Sequence, residues 1–221
     1  SGKVEIKYMT AREEDILTSQ NLIKQGTVID KLLEALIVDK SIKLDDILLG
    51  DKNAIMLASR ILAYGKEYGF TYDGEEYSAD LSTLEPVELD FSKFTRGKNE
   101  FNFKLPTSER EITFKLLIGS DEINIAKEIL SRKKISKEES STFTTRLKYM
   151  ILSVDGSSEK SYINNFVDNE FLSRDSLAFR QYLSTVTPDV DMNTKITDTS
   201  GKNIEVAVPI TVRFFWPSTG V

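Results

Sequence analysis

The chain contains no cysteine and no histidine among its 221 residues. Without cysteine it has no disulfide bond, no thiolate nucleophile and no thiolate ligand for zinc. Without histidine it has no imidazole to act as a general base or as a metal ligand. These two absences exclude the Ser-His-Asp and Cys-His catalytic systems, structural zinc and the two-histidine iron site. Only Asp, Glu, Lys, Ser, Thr and Tyr are left for chemistry.

Long apolar runs and an excess of positive charge are also missing. The formal net charge is −6 and the pI is about 5.0, and a negative field repels nucleic-acid phosphates and anionic lipids. The longest apolar stretches, such as Ala35 to Val38 and Ala54 to Ala58, fall far short of the about 20 residues that span a bilayer. We therefore expect no nucleic-acid binding and no membrane insertion.

The first segment, residues 1–67, is predicted to hold a short N-terminal strand and a helical unit. Thr10-Ala11-Arg12-Glu13 has the pattern of a capping box, in which the Thr hydroxyl and the Glu carboxylate bond each other's backbone N–H groups. This box predicts a helix that runs to about Gly26. Two more helices are expected, one from Thr27 onward and one over about Asp51 to Tyr64.

The second segment, residues 68–119, has the alternating pattern of β-hairpins. Apolar residues alternate along two stretches, Phe101-Phe103-Leu105 and Ile112-Phe114-Leu116-Ile118. Pro106 to Arg110 lie between these stretches and are predicted to form the hairpin loop.

The third segment, residues 120–188, returns to helical spacing. The apolar face of its first helix is predicted to be Ala126, Ile129 and Leu130. A second capping box, Ser136 to Glu139, introduces a helix whose apolar residues reach Ile151. Two further helices are expected over about residues 159–171 and 173–184.

The fourth segment, residues 189–221, is predicted to be a C-terminal β-hairpin and an aromatic tail. Apolar residues alternate from Ile204 to Val212 after a turn at Ser200-Gly201-Lys202. We expect the β segments near 68–118 and 190–216 to share one sheet or subdomain between the two helical groups. No β-α-β alternation is present, so the sequence predicts an α+β fold rather than a doubly wound sheet.

Acidic pairs such as Asp45-Asp46 and Glu138-Glu139 are the one group of residues that an enzyme could use here. Most of these pairs lie in the first turn of a predicted helix, where negative charge interacts favourably with the helix dipole. No calcium-loop or phosphate-loop pattern accompanies them. We therefore expect no cofactor, no metal and no small-molecule substrate, and we predict that the chain is not an enzyme.

Three consecutive aromatic residues near the C-terminus, Phe214, Phe215 and Trp216, have two interpretations. In an extended segment they cannot all face one core, because side chains alternate between faces. The rings either cover the second layer of the chain's own domain or dock on a partner protein.

Four stretches of the sequence together resemble the baseplate hub protein family of T4-like contractile-tailed bacteriophages. They are Met9 to Thr18, Leu48 to Ile55, Tyr64 to Tyr68 and Phe214 to Pro217. Shorter pieces at Leu105-Pro106, Leu117 to Glu122 and Pro188 to Met192 follow in the expected order, so the resemblance spans nearly the whole chain. It implies a viral tail protein that binds other baseplate, hub or tail proteins in the virion tail, after assembly in the host cytoplasm.

The same resemblance implies Cys-x-x-Cys-Gly knuckles that would make the hairpins a zinc ribbon. Thr197 and Ser200 stand at the second knuckle where thiolates would be, and Gly201 and Gly74 keep the turn positions. A hydroxyl is a poor substitute for a thiolate on zinc. The chain therefore resembles a zinc-ribbon-like family that has lost its cysteines, and no metal is expected.

Partner contacts are assigned to two groups, Phe214-Phe215-Trp216 and Arg12-Glu13-Glu14-Asp15. The acidic group has an alternative interpretation as a helix N-terminus with local ion pairing. Two alternative functions also stay open. The chain could be a transient tail assembly chaperone that is absent from the mature virion, or an enzyme that uses carboxylates with a divalent metal.

Overall fold

The computed structural model describes residues 3–95, 97–135, 142–197 and 201–215. The fold is α+β, as the sequence predicts. The helices are α1 (Ala11–Leu17), α2 (Gln20–Gln25), α3 (Val28–Leu36), α4 (Leu49–Tyr64), α5 (Gly119–Ile135), α6 (Thr142–Met150), α7 (Lys160–Asn165) and α8 (Ser173–Val186). The strands are β1 (Glu67–Tyr72), β2 (Glu75–Asp80), β3 (Phe101–Lys104), β4 (Glu111–Phe114), β5 (Ile151–Val154), β6 (Asn193–Thr197) and β7 (Asn203–Ala207).

The chain divides into two compact units that interleave along the sequence. Unit 1 consists of Ser1–Leu44, Gly50–Val87 and Asp189–Val221, and unit 2 consists of Asp45–Leu49 and Glu88–Pro188. These units cut across the four consecutive segments predicted from the sequence, because the β-hairpin segment 68–119 is divided between them.

The strands of the described ranges form three separate antiparallel sheets, β1-β2, β3-β4-β5 and β6-β7. The expectation that the β segments share one sheet is therefore wrong. As to the alternative of a shared subdomain, β1-β2 and β6-β7 both belong to unit 1, whereas β3-β4 belongs to unit 2. In each hairpin a strand pairs with the next strand along the chain. Among the described strands, only β5 joins a hairpin, β3-β4, from a distant part of the sequence. Alternation of side chains predicts that a strand exists, but it does not specify the partner strand.

Unit 1 contains α1 to α4 and two hairpins. α3 contributes Leu32, Leu33 and Leu36 to the core, all at most 1% exposed. The predicted helix over 10–26 is two helices, since α1 ends at Leu17 and α2 begins at Gln20. The hydroxyl of Thr18 donates to the carbonyl of Asp15 at 3.1 Å, and such a side-chain bond competes with helix continuation.

The hairpin β1-β2 turns through Asp73 and Gly74, with φ values of 49° and 85°. Two successive positive φ values define the two-residue turn whose twist suits a hairpin, and glycine adopts them without steric cost. Gly201, with φ of 81°, lies in the corresponding connection between β6 and β7. Both glycines are therefore turn residues, as predicted.

Unit 2 is built around the sheet β3-β4-β5. Its core combines sheet residues such as Phe114 and Val154 with helix residues such as Phe166 and Phe179, all fully buried. The helix predicted to include Ile151 stops at Met150, and β5 begins there instead. The backbone N–H of Lys115 donates to the carbonyl of Met150 at 2.9 Å, so the chain is drawn into the sheet at this point.

The helix α5 does not bury the apolar face predicted for it. Ala126 is exposed and Leu130 is 59% exposed, whereas Asp121 and Ile125 are buried. The ammonium of Lys115 lies 2.7 Å from the carboxylate of Asp121, and this ion pair permits a charged residue on the inner face. The spacing of apolar residues could not predict that the charged Asp121 lies on the buried side of α5.

Candidate functional site

The aromatic C-terminal segment is part of the core of unit 1. Phe214 and Phe215 are fully buried, and the Phe214 ring lies 5.0 Å from the Tyr68 ring, centroid to centroid. Docking on a partner does not fit these two rings, whereas covering the chain's own core does. Trp216 lies outside the described residues.

Both rings can face one core because the segment is not extended. Val212–Phe214 form a turn of 3₁₀ helix, and the N–H of Phe214 donates to the carbonyl of Thr211 at 2.9 Å. The alternation of side chains that a strand imposes is absent from such a turn. The two rings pack edge to face, 5.2 Å apart.

The acidic cluster at the start of α1 is split between inside and outside. Glu13 is buried, and its carboxylate accepts the backbone N–H of Thr10 at 3.0 Å and the ammonium of Lys7 at 2.6 Å. Glu14 accepts the hydroxyl of Tyr64 at 2.9 Å. Arg12 and Asp15 are exposed. The predicted capping box is present, so the helix N-terminus interpretation fits Glu13, and only Arg12 and Asp15 present free surface.

These contacts make unit 1 sensitive to acid. Bonds from Lys7 and Thr10 lower the pKa of Glu13 from 4.5 to about 2, against the opposing effect of burial. A lowered folded-state pKa contributes stability that is complete above about 4.5 and is lost as the pH falls towards 2. We expect Glu13→Gln to lower the free energy of unfolding by about 1–2 kcal/mol at pH 7. Urea denaturation at pH 7, 4 and 2.5 measures this.

The difference between Glu13→Gln and the wild type should shrink as the pH falls from 4 to 2.5. Asp15→Asn is the matched control, because this carboxylate lies on the same helix but is exposed. An effect of Glu13→Gln that is unchanged between pH 7 and pH 2.5 would contradict the assignment.

Of the degenerate knuckle positions, Gly74, Thr197 and Gly201 belong to the described residues. The hydroxyl of Thr197 donates to the side-chain oxygen of Asn203 at 2.9 Å, across the β6-β7 pair. Ser200 lies outside the described residues. Within the described ranges, no three acidic side chains come together as a metal site would require. The hairpins are held by strand pairing, and the zinc-ribbon resemblance gains no support from the geometry.

A concave feature among the described residues is a cleft in unit 2 between α6, α8 and the π-helical segment Phe166–Glu170 that follows α7. Its volume is about 250 Å³. The floor is apolar and consists of Leu147, Val167 and Phe171. The walls are Phe143 and Thr144 on α6 and Ser173, Ser176 and Arg180 on α8. We call this feature the α6–α8 cleft.

One large apolar side chain of the α6–α8 cleft faces solvent, since Phe143 is 47% exposed. Leu172 and Leu177, which neighbour the lining serines in sequence but do not line the cleft, are 46% and 50% exposed. The guanidinium of Arg180 lies 5.5 Å from the centre of the Phe143 ring. This cation–π contact places a positive charge and an aromatic ring together at the rim.

The charges near the α6–α8 cleft leave two arginines without a carboxylate partner among the described residues. The nearby acids are engaged elsewhere: Asp168 pairs with Lys148 at 2.6 Å, and Glu170 pairs with Arg110 at 2.5 Å. Arg174 and Arg180 are exposed and form no ion pair with described residues. Arg180 thus brings an exposed positive charge to the lining of the cleft, on a chain whose net charge is −6.

None of the residues that line this cleft is among the site residues predicted from the sequence. Its walls come from residues about 35 positions apart, and no short motif joins them. One signal was available in α8. Phe179, Leu183 and Val186 form its inward stripe at helical spacing, and Leu177 lies off that stripe. A large apolar residue outside the buried stripe of a helix is the pattern that indicates a contact surface.

The described residues define an α+β protein with a small open cleft in unit 2, which has an apolar floor and polar residues on its walls. No helix among the described residues has the length and apolarity to cross a membrane. No family model, curated protein or solved structure matches the chain.

Proposed function

We propose that this chain acts by binding other proteins, as a baseplate hub subunit or hub assembly factor in the contractile tail of a T4-like phage. The observation that carries the binding role is the α6–α8 cleft with the exposed Phe143 on its wall, together with two exposed apolar residues, Leu172 and Leu177, that are next in sequence to its serines. Exposed apolar residues grouped around a concavity are typical of protein contact sites. The tail assignment depends on the resemblance of the four sequence stretches given above.

The size of the cleft favours a protein over a small molecule. Pockets that enclose a cofactor or a substrate have volumes of about 300–1,000 Å³. The α6–α8 cleft has about 250 Å³ and opens to solvent beside apolar side chains. A single large side chain fills such a space and leaves the rim free for further contact.

The hairpins extend the same proposal. We propose that the turns at Gly74 and Gly201 correspond to knuckle turns of a zinc-ribbon-like family, here without metal. Elemental analysis of the purified protein tests this, because stoichiometric zinc would overturn it.

A transient assembly chaperone is the second candidate, since it needs the same exposed surface. Mass spectrometry of purified virions separates the two. A structural subunit is present at a fixed copy number, whereas a chaperone is absent from the mature particle.

An enzyme that uses carboxylates and a divalent ion is the remote alternative. A metal that binds only the folded state raises the apparent thermal stability. Thermal denaturation with magnesium, calcium or manganese tests this alternative, and a clear rise in the midpoint with one of these ions would favour it.

The test of the binding role is co-purification with the tail proteins encoded beside this chain. We expect Phe143→Asp to reduce capture of the bound tail protein at least tenfold, because a carboxylate replaces the aromatic wall of the cleft. Phe91→Asp is the matched control: Phe91 belongs to the same unit, is 76% exposed and does not line the cleft. Equal loss in both variants would show that the cleft is not the contact site.

A further inference from the structure

We infer that the α6–α8 cleft takes a peptide segment of a partner in which one large apolar side chain is followed or preceded closely by a carboxylate. This inference rests on the proposed binding function and names the chemistry of the partner. Three observations support it: the volume of the cleft, its lining, and the charge of Arg180, which forms no ion pair with a described residue.

The volume and the lining specify the apolar part of the partner. Leu147, Val167 and Phe171 provide a floor without charge, and the space of about 250 Å³ suits one leucine, methionine or phenylalanine side chain. An anchor of this kind contributes most when it is fully desolvated and surrounded by contacts that exclude water. The exposed Phe143 ring on the wall of the cleft provides part of such a surround.

The rim specifies the charge of the partner. Arg180 lies over Phe143, and neither it nor Arg174 pairs with a carboxylate among the described residues. The guanidinium group binds a carboxylate through two parallel N–H bonds, and stacking on a ring leaves its edge free for that. Because the chain as a whole carries −6, the positive charge of Arg180 at the lining of the cleft is a local inversion of charge that selects an acidic segment.

The serines on α8 fit a peptide rather than an isolated acid. Ser173 and Ser176 line the same wall as Arg180, one helical turn apart from each other. Their hydroxyl groups can donate to or accept from the backbone of a bound segment. The α8 wall therefore offers contacts for the backbone and the carboxylate of the segment, beside the floor that takes its apolar anchor.

A selection from a random twelve-residue peptide library on the full-length protein tests this inference. From the wild type we expect peptides in which Leu, Met or Phe lies within three residues of Asp or Glu. From Arg180→Glu we expect the acidic residue to be replaced by Lys or Arg at the same place. Binding of an acidic wild-type peptide to Arg180→Glu should weaken at least tenfold in fluorescence anisotropy.

The two charge selections make the result independent of folding, because a misfolded Arg180→Glu protein would not select the opposite charge. Peptides without acidic enrichment, an unchanged consensus on Arg180→Glu, or no enrichment above background would each overturn the inference. Capture of a tail protein by the wild type that Arg180→Glu leaves intact would refute the inference and leave the binding function standing. Acidic peptides that bind while no tail protein does would refute the tail assignment alone.

Discussion

Replacing Phe214 by alanine should lower the free energy of unfolding of unit 1 by about 3–5 kcal/mol, the usual cost of removing a phenylalanine from a core. Phe214 is fully buried and contacts two rings, Tyr68 at 5.0 Å and Phe215 at 5.2 Å. Its removal leaves a cavity and also breaks both edge-to-face contacts, which add to the energy of burial. Urea denaturation followed by far-UV circular dichroism measures the loss.

Phe91→Ala is the control for this experiment, because Phe91 is 76% exposed and its loss should change stability by no more than about 0.5 kcal/mol. The comparison also separates the two interpretations of the aromatic segment. Removing a ring that only contacts a partner leaves the free energy of unfolding of the isolated chain unchanged, whereas removing a ring of the core lowers it. A Phe214→Ala protein as stable as the wild type would return the segment to the docking interpretation.

The elements that the sequence predicted well are those fixed by contacts between close neighbours. The capping box at Thr10, the hairpin turn at Asp73-Gly74 and the loop from Pro106 to Arg110 all depend on residues within a few positions of each other. Capping and turn geometry are local, so the pattern is sufficient to specify them.

The parts that the sequence did not predict depend on contacts between distant residues. β5 exists because Ile151 and Val154 pair with β4, which lies almost 40 residues earlier in the chain. The partition into units and the α6–α8 cleft likewise arise from tertiary packing, which outweighs local pattern.

The two interpretations of the aromatic segment could not be separated from the sequence for the same reason. Aromatic content drew the sequence prediction to Phe214 and Phe215, but the same property drives these rings into the core. Phe143 belongs to the same residue type and stays 47% exposed. Its position at the first turn of α6, rather than its identity, sets that difference, and position relative to other helices is not encoded in a short motif.

A second large effect is expected at Asp175, a fully buried carboxylate in the first turn of α8. One of its oxygens accepts the backbone N–H of Thr107 at 2.7 Å, and the other accepts that of Ser108 at 3.0 Å. These two residues belong to the loop that joins β3 to β4. Asp175 therefore ties the hairpin loop to the helix that forms one wall of the cleft.

The protonation state of Asp175 follows from these bonds. Burial works to raise its pKa, but the hydrogen bonds from Ser108 and Thr107 outweigh burial, and the pKa lies below its ordinary value. The carboxylate is consequently charged at neutral pH. Its contribution to stability is complete above the pKa of the unfolded chain and declines as the pH falls below it.

Asp175→Ala should lower the free energy of unfolding of unit 2 by about 2–4 kcal/mol at pH 7, because two hydrogen bonds to a charged acceptor are lost and a buried space is opened. Asp175→Asn keeps one oxygen acceptor and should lose less. Asp168→Ala is the control, since the Asp168 side chain is 45% exposed, pairs with Lys148 at 2.6 Å and has no bond to the Thr107-Ser108 loop among the described residues, so its loss should cost less than that of Asp175.

Hydrogen exchange of the Thr107 and Ser108 amides gives the local readout that global stability does not. Both amides donate to Asp175, so we expect both to exchange faster in Asp175→Ala, and to exchange at the wild-type rate in Asp168→Ala. The same loosening should reach the α6–α8 cleft, because Ser173 and Ser176 flank Asp175 on α8. If the two amides keep their protection in Asp175→Ala, the carboxylate does not hold the loop, and the stability of this wall must come from the apolar packing of Phe179 alone.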